Sequence, residues 1–150
     1  MNIKLKINRE TIEVSLEAGD KLLDTLRGLG YTGVKRGCGE GTCGSCAVLV
    51  DGKLALSCVT FSAALQGREI TTIEGLGSVD DPHAIQMEFV KAGAVQCGFC
   101  TPGMVLATKA LLNVNPQPTS DDIKLALDGN RCRCTGYVKI LEAVENAAAL

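Results

Sequence analysis

The 150-residue sequence predicts an α+β fold, with a strand-rich domain over residues 1–76 followed by an all-helical domain over residues 77–150. Apolar residues alternate with polar ones in the first half, which is the period of a half-buried strand. The alternation disappears after a glycine-rich stretch at 75–78, and helical spacing replaces it. The eight cysteines divide equally between the two halves. The sequence has no Trp and only 3% aromatic residues, so both cores must be small and aliphatic. Such small domains usually need disulfide bonds or bound metal for stability.

The first domain is predicted to open with a hairpin over residues 3–16, because apolar residues occupy alternate positions on both sides of a turn at 8–10. A helix follows, with leucines at helical spacing: Leu22, Leu23, Leu26 and Leu29. Asp20 is the predicted N-cap of this helix, and Gly30 is its predicted stop.

A second hairpin is predicted around Asp51-Gly52, a dipeptide that strongly favours a two-residue hairpin loop. Cys58 lies just beyond this hairpin. A last strand over Glu69–Ile73 completes the first domain, and residues 75–78 are predicted to form a linker.

The second domain is predicted to be a small helical bundle. Its four helices are expected at 82–92, at 101–113, from 119 and after 136. Pro82 is the predicted start of the first helix and Thr101 the N-cap of the second. Thr119 opens the third helix, where Asp122 three positions on gives a variant of the capping box.

Charge and hydropathy exclude several classes of protein. A net charge of −2 and a pI near 5.4 give no basic surface for nucleic acid or an anionic membrane. No apolar run approaches the roughly 20 residues of a membrane span. The N-terminal stretch MNIKLKINRE alternates apolar and charged residues, unlike a signal peptide. We therefore expect a cytoplasmic protein whose cysteines bind metal instead of pairing as disulfides.

The first cysteine set has the plant-type spacing of a 2Fe–2S cluster, C-x₄-C-x₂-C and then a fourth cysteine: Cys38, Cys43, Cys46 and Cys58. Four thiolates with the cluster sulfides are net anionic, so the loop has to offer backbone N–H donors at close range. Four glycines remove side chains from this approach and allow positive φ: Gly37, Gly39, Gly41 and Gly44. Hydrogen bonds to sulfur also help to set the reduction potential.

Two other interpretations of this loop are weaker. The stretch 39–44 matches the dinucleotide fingerprint G-x-G-x-x-G, but that motif needs a buried strand before it and a helix after it. The sequence predicts neither element at these places. A structural zinc site usually has two separated C-x₂₋₄-C knuckles, and only one is present here.

The second set is spaced C-x₂-C and then C-x-C: Cys97, Cys100, Cys132 and Cys134. Its spacing leaves two interpretations open, a second iron–sulfur cluster or a zinc site. The C-x-C pair is tight for a tetrahedral zinc ion, which counts mildly against zinc. Arg131 and Arg133 flank this pair, where they either stabilise an anionic cluster or remain solvated loop residues.

Three motifs resemble those of the xanthine oxidase family of molybdenum hydroxylases. Residues 96–103 (QCGFCTPG) and 129–137 (GNRCRCTGY) resemble the second-cluster motifs of that family, and residues 37–46 (GCGEGTCGSC) resemble its first-cluster loop. The resemblance covers nearly the whole chain, whose length matches the separate small iron–sulfur subunit. Arg131 departs from the family pattern, which commonly has Leu at that position.

The resemblance implies a ferredoxin-like β-grasp domain followed by a four-helix bundle, each holding one 2Fe–2S cluster with its own cysteine set. The chain would carry electrons between a large molybdenum-binding subunit and a medium FAD-binding subunit. The three subunits would form a heterotrimer or a dimer of heterotrimers. The bundle cluster would lie nearer the molybdenum cofactor, and the other cluster nearer the flavin.

Two residues are implied to contact the molybdenum cofactor, which a partner subunit would hold. Gln96 would hydrogen-bond the pterin, because its amide offers both a donor and an acceptor. The region of Cys134 would also touch the cofactor. The plainer interpretation of Gln96 is a residue that caps a helix end.

The function that follows is electron relay within an oxidoreductase complex, with no substrate-binding active site on this chain. The alternatives are a free-standing two-cluster ferredoxin and a zinc-stabilised interaction module. A shuttle ferredoxin would be strongly acidic for steering. The modest charge and high apolar content instead favour burial in a permanent complex.

Overall fold

The chain, described over residues 1–150 in a computed structural model, contains five strands, six helices and one 3₁₀ turn. The first half holds β1 (Asn2–Ile7), β2 (Glu10–Ser15), α1 (Leu22–Gly28), β3 (Ala47–Val50), β4 (Lys53–Leu56), the 3₁₀ turn (Ser62–Leu65) and β5 (Glu69–Thr71). The second half holds α2 (Ile73–Leu76), α3 (Ala84–Lys91), α4 (Thr101–Val114), α5 (Ser120–Leu127) and α6 (Val138–Ala148). This is the α+β class that the sequence predicts.

The five strands form one mixed sheet in the order β2-β1-β5-β3-β4. Both predicted hairpins are confirmed, since β1 pairs antiparallel with β2, and β3 pairs antiparallel with β4. The turn between β3 and β4 places Asp51 and Gly52 at φ values of 48° and 77°, as a two-residue hairpin loop of this type requires. The central strand β5 runs parallel to β1 and antiparallel to β3.

The first hydrophobic cluster lies between this sheet and α1. Alternate side chains of β1 point into it, as its period-two pattern predicts: Ile3, Leu5 and Ile7. The leucines at helical spacing on α1 meet them from the other side: Leu22, Leu23 and Leu26. Burying one such side chain stabilises the fold by roughly 1.5–3 kcal/mol, so α1 is held by packing.

The two ends of α1 differ in how well the sequence predicts them. Gly30 follows the helix at a φ of 96°, which confirms the predicted glycine stop. The predicted N-cap is wrong, because Lys21 occupies that position. The Asp20 carboxylate instead accepts a hydrogen bond from Glu17 N at 2.9 Å and closes the turn before the helix. Such local bonding to the backbone competes with helix capping.

The end of the predicted strand and the first two residues of the predicted linker form the short helix α2, Ile73–Leu76. Residues 72–76, which we call the fastened segment, are held to the first half by hydrogen bonds. Asn8 binds Thr72 through both amide atoms: its Nδ2 donates to Thr72 Oγ1 and its Oδ1 accepts from Thr72 N, each at 2.9 Å. The Glu74 carboxylate accepts from Gly33 N at 2.7 Å. These contacts tie the segment to the strand-rich half.

Helices α3 to α6 surround a second hydrophobic cluster. Each of them supplies at least one side chain that is 1% exposed or less: Phe89, Met104, Ile123 and Ile140. Ile73 and Leu76 of α2 pack against the same cluster, so α2 links the sheet to the helices. None of the helices is long and apolar enough to cross a membrane.

Two helices start at positions other than the predicted ones, each with a visible cause. Helix α3 begins at Ala84 and not at the predicted Pro82, because His83 is its N-cap: His83 Nδ1 accepts from Ile85 N at 3.2 Å and satisfies a first-turn amide. Cys100, not Thr101, is the N-cap of α4. The helix therefore begins at a candidate metal ligand, which fixes that thiol to a rigid element.

The predicted capping box of α5 is confirmed, since Thr119 Oγ1 accepts from Asp122 N at 3.2 Å and the Asp122 carboxylate accepts from Thr119 N at 2.8 Å. We expect Thr119→Ala to lower the free energy of unfolding by about 1 kcal/mol, because a first-turn amide loses its acceptor. Thr119→Ser keeps the hydroxyl and should cost little. Urea titration followed by circular dichroism measures both variants, and equal losses would contradict the capping role.

Candidate metal centres

The first cysteine set is assembled by a loop and a hairpin. Three of its members lie between α1 and β3, and the β3–β4 hairpin returns Cys58 to Cys46. Ser57 fixes this return, because its N and its Oγ both donate to the Cys46 carbonyl, at 3.3 and 2.7 Å. The thiols of Cys46 and Cys58 are buried and within hydrogen-bond contact. Cys38 and Cys43 meet in the same way, so the structure brings the predicted set together.

Backbone amides of this loop point at the sulfurs. Glu40 N and Thr42 N donate to Cys38 Sγ at 3.4 and 3.2 Å. Hydrogen bonds from the Thr42 hydroxyl and from these two amides lower the pKa of Cys38 to about 5. Burial, and then the neighbouring Cys46 thiol, raise the pKa of Cys58 to about 11. The exposed side of the loop thus stabilises a thiolate, which is the form that binds iron.

Two glycines show why a loop of this shape needs them. A Cβ at Gly37 would lie 2.6 Å from Cys43 Sγ, closer than any real contact allows. Gly41 has a φ of 82°, and its amide donates towards the Cys58 thiol. The element before the loop is helix α1 and the element after it is strand β3, so the dinucleotide-binding interpretation lacks the preceding strand and following helix that it needs.

The second cysteine set is brought together by three segments. Cys97 lies in the loop before α4, Cys100 caps α4, and the other two lie in the loop between α5 and α6. Cys97 Sγ and Cys134 Sγ are 3.5 Å apart. The thiols of Cys100 and Cys132 are also within hydrogen-bond contact. These four residues are the set that the sequence predicts.

Thr135 donates hydrogen bonds to a cysteine sulfur of the second set, as Thr42 does in the first set. Burial raises the pKa of Cys132, but the Thr135 hydroxyl and amide, which donate to its Sγ at 3.1 and 3.4 Å, outweigh burial. The net result is a pKa lowered to about 7. Burial, followed by the Cys132 thiol, raises the pKa of Cys100 to about 12. Each set therefore combines one cysteine whose pKa is lowered by hydrogen bonds with another whose pKa is raised by burial.

The eight thiols fall into four pairs, and this pairing suits a group with two iron ions. The pairs are Cys38 with Cys43, Cys46 with Cys58, Cys97 with Cys134, and Cys100 with Cys132. No group of three or more His, Cys, Asp or Glu side chains is set around one metal position. A 2Fe–2S cluster takes two protein ligands at each iron. The donor chemistry, the amides aimed at sulfur and the glycine loop all fit such a cluster.

Tyr137 is a residue of the second site that the sequence does not reveal. Its hydroxyl accepts a hydrogen bond from Cys132 N at 2.9 Å. Its φ is 70°, a left-handed conformation that is rare for a bulky side chain and costs on the order of 1–3 kcal/mol. The position after Gly136 is the one sequence signal, and it predicts a turn but no contact with the cysteines.

Gln96 and Cys134 lie at the exposed edge of the second site. Gln96 stands in the loop between Ala92, the C-cap of α3, and Cys100, the N-cap of α4. The interpretation of Gln96 as a capping residue is therefore wrong, since other residues occupy both caps. Its side chain is exposed next to Cys97.

The two cysteine loops contact each other directly. Arg131 N donates to the Cys43 carbonyl at 2.9 Å, while the Arg131 side chain remains exposed. Gly103, in the first turn of α4, packs against the Gly44 carbonyl so closely that a Cβ would overlap it. The departure of Arg131 from the family pattern therefore leaves this backbone contact intact.

Comparison with known proteins gives the same assignment. Two family models match in succession, a 2Fe-2S iron-sulfur cluster binding domain over residues 5–72 and a [2Fe-2S] binding domain over residues 72–145. The nicotinate dehydrogenase small FeS subunit of Eubacterium barkeri is 45% identical over 148 residues, covering 98% of this chain and 94% of the relative.

Solved structures share the fold at similar identity. Quinoline 2-oxidoreductase from Pseudomonas putida 86 matches with a TM-score of 0.94 and 40% identity, covering 99% of this chain and 93% of that chain. Aldehyde oxidoreductase from Desulfovibrio gigas matches with a TM-score of 0.96 and 40% identity, covering 99% of this chain but 17% of that longer chain.

These matches define a protein with two 2Fe–2S binding domains. The chain belongs to the small iron–sulfur subunits of the xanthine oxidase family of molybdenum hydroxylases, as its three motifs predict. It is the electron-transfer component of an oxidoreductase complex, and the relatives do not favour the free-standing ferredoxin. Both domain models describe 2Fe–2S binding, so the choice left open at the second set falls to iron–sulfur instead of zinc.

We expect Gly103→Ala to destabilise the protein, although alanine normally stabilises a helix interior by up to about 1 kcal/mol over glycine. The added methyl group would overlap the Gly44 carbonyl and lie 3.0 Å from Asn130 Nδ2, so the free energy of unfolding should fall by about 1–3 kcal/mol. Gly28→Ala in α1 is the matched control, because no atom lies within 4 Å of its added methyl. Urea unfolding measures both variants, and a gain in stability for Gly103→Ala would show that α4 does not pack closely against the Gly44 carbonyl.

Proposed function

We propose that this chain relays electrons between the molybdenum cofactor of a large partner subunit and the FAD of a medium partner subunit. Cys38, Cys43, Cys46 and Cys58 would hold the first 2Fe–2S cluster, and Cys97, Cys100, Cys132 and Cys134 would hold the second. The second cluster would face the molybdenum cofactor, and the first would face the flavin. The chain itself makes and breaks no substrate bond.

The observation that carries this proposal is that each half brings four thiols together in two pairs, with hydrogen-bond donors pointing at sulfur. A bound 2Fe–2S cluster supplies reversible one-electron chemistry. The amides of Thr42 and Thr135 are positioned to stabilise the additional negative charge of the reduced state, which raises the reduction potential. The protein thus tunes the two sites through its backbone.

The exposure of the cysteines supports an electron relay, because each cysteine set has an exposed side and the two sets are joined by a direct contact. Cys38 is exposed in the first set, and Cys97 and Cys134 are exposed in the second. The hydrogen bond from Arg131 N to the Cys43 carbonyl joins the sets on their inner sides. Each site therefore has one edge available to a partner and another edge close to its neighbour.

Gln96 and Cys134 are the residues that we propose for contact with the pterin of the partner's molybdenum cofactor. Both lie at the exposed edge of the second site, and the Gln96 amide can donate to and accept from a pterin edge. The assembly would be a cytoplasmic heterotrimer of small, medium and large subunits, or a dimer of such heterotrimers. The relatives bear the names nicotinate dehydrogenase, quinoline 2-oxidoreductase and aldehyde oxidoreductase, and we propose that the large subunit selects the substrate.

The proposed domain division is a ferredoxin-like β-grasp domain at 1–76 and a four-helix bundle at 77–150. The sheet order and the packing of α1 on the sheet support the first assignment. The shared cluster of α3, α4, α5 and α6 supports the second. The boundary is placed within the fastened segment, where α2 ends at Leu76.

Substitution of one ligand in each set tests the assignment. We expect the wild-type chain to carry about four iron and four sulfide, and each variant about half as much. Cys132→Ser should remove the second cluster and destabilise the helices around it, because cluster binding contributes to folding. The plant-type electron paramagnetic resonance signal of the first cluster should remain. Cys58→Ser should have the opposite effect on the two signals.

Arg133→Ser and Val59→Ser are the matched controls, since each changes an exposed neighbour of a ligand. Both controls should retain the full iron content and both signals. Survival of both cluster signals in Cys132→Ser would show that the ligand assignment is wrong. Zinc without iron in the wild-type chain would overturn the relay itself.

A further inference from the structure

Asn130 is a buried side-chain amide at the boundary between the two cysteine loops. It is 5% exposed, and its backbone N donates to the Leu127 carbonyl at 2.8 Å, which ties it to the end of α5. It is not one of the eight thiol ligands, and the relay described above gives it no part. A buried amide costs free energy unless its donors and acceptors are used, so its contacts indicate its role.

Asn130 and the residue after it bind two consecutive carbonyls of the first cysteine loop. Asn130 Nδ2 donates to the Gly44 carbonyl at 3.3 Å, and Arg131 N donates to the Cys43 carbonyl at 2.9 Å. Cys43 belongs to the first ligand set, and Cys132 of the second set directly follows Arg131. The contact therefore joins one ligand loop to the other with no intervening element.

The packing around this contact is as close as backbone allows. Gly44 has a φ of 73°, and a Cβ there would lie 2.6 Å from both Asn130 Nδ2 and the Gly129 carbonyl. Gly103 of α4 packs against the same Gly44 carbonyl, and a Cβ there would lie 3.0 Å from Asn130 Nδ2. Three segments thus meet at one carbonyl, which accepts from Ala47 N within the first loop and from the Asn130 amide of the second loop.

We propose that Asn130 is a positioning residue that fixes the distance and relative orientation of the two iron–sulfur sites. This proposal rests on the proposed function, because it requires both clusters to be present. Hydrogen bonds from Asn130 and from the adjacent amide hold the first loop by its backbone, close to one of its ligands. Without the Asn130 donor, the Gly44 carbonyl would keep only the hydrogen bond from Ala47 N within its own loop, at 3.1 Å. The Arg131 amide would then be the one hydrogen bond left between the two loops at this point, and the first loop would be free to shift relative to the second.

The test uses the full chain with both clusters reduced, observed by electron paramagnetic resonance at low temperature. Two paramagnetic clusters at a fixed short distance split each other's signals, and the splitting depends on their separation and orientation. We expect the splitting in the wild-type chain and its loss or clear change in Asn130→Asp, whose carboxylate would face the Gly44 carbonyl. The iron content and the principal g values of each cluster should stay at their wild-type values.

Ser57→Ala is the matched control, because the Ser57 hydroxyl also donates to a cysteine carbonyl, that of Cys46, but within the first half alone. It should affect the first cluster's own signal and leave the splitting unchanged. A splitting that Asn130→Asp leaves unchanged, or that Ser57→Ala alters equally, would overturn the proposal. Asn130→Ser removes the same donor and replaces Asn130→Asp if that variant does not accumulate with iron.

Hydrogen exchange of the wild-type chain gives a second readout that needs no variant. If the contact is fixed, the Arg131 amide should exchange as slowly as the amides of strand β3, although it lies in a loop. Exchange of this amide at the rate of exposed loops would overturn the proposal. A wild-type chain that contains no iron would instead overturn the proposed function, so the two failures are distinguishable.

Discussion

The need to bring hydrogen-bond donors close to sulfur constrains the whole molecule. A thiolate in a weakly polar surrounding is stable only when amides, hydroxyls or metal ions face it. In the first half the donors come from a loop kept open by glycines, and in the second half they come from the turn that contains Thr135. Neither segment has regular secondary structure that could hold its shape alone. The sheet and the helices serve chiefly to hold these segments in place.

Each half therefore has a small hydrophobic cluster whose residues support the cysteines. The β3–β4 hairpin returns Cys58 to Cys46, and Cys100 occupies the N-cap of α4, so this thiol is carried by the start of a helix. Metal binding completes such structures, because ligand bonds add the free energy that a core of this size lacks. The folded state and the loaded state are energetically coupled for this reason.

The sequence predicts well whatever depends on local periodicity or on short spacing. Alternation in β1 and β2, the Asp51-Gly52 turn and the Thr119 capping box are local patterns, and each is present in the structure. The membership of the two cysteine sets also follows from spacing and motif. How the thiols pair does not, since Cys97 and Cys134 are neighbours only because α4 and α5 fold back between them. The role of Tyr137 is hidden for the same reason, because its partner is set by the turn geometry.

The fastened segment shows that glycine content alone does not predict whether a segment is flexible. Glycine at 75 and 77 predicts flexibility, yet Asn8, 64 positions away from Thr72, binds this segment from the sheet. Ile73 and Leu76 in turn pack against the helices. The same few residues thus contact the sheet through hydrogen bonds and the helices through apolar packing. Because these contacts join the two halves, we expect the separation between the two cysteine sets to be determined once, at folding, without a domain movement during turnover.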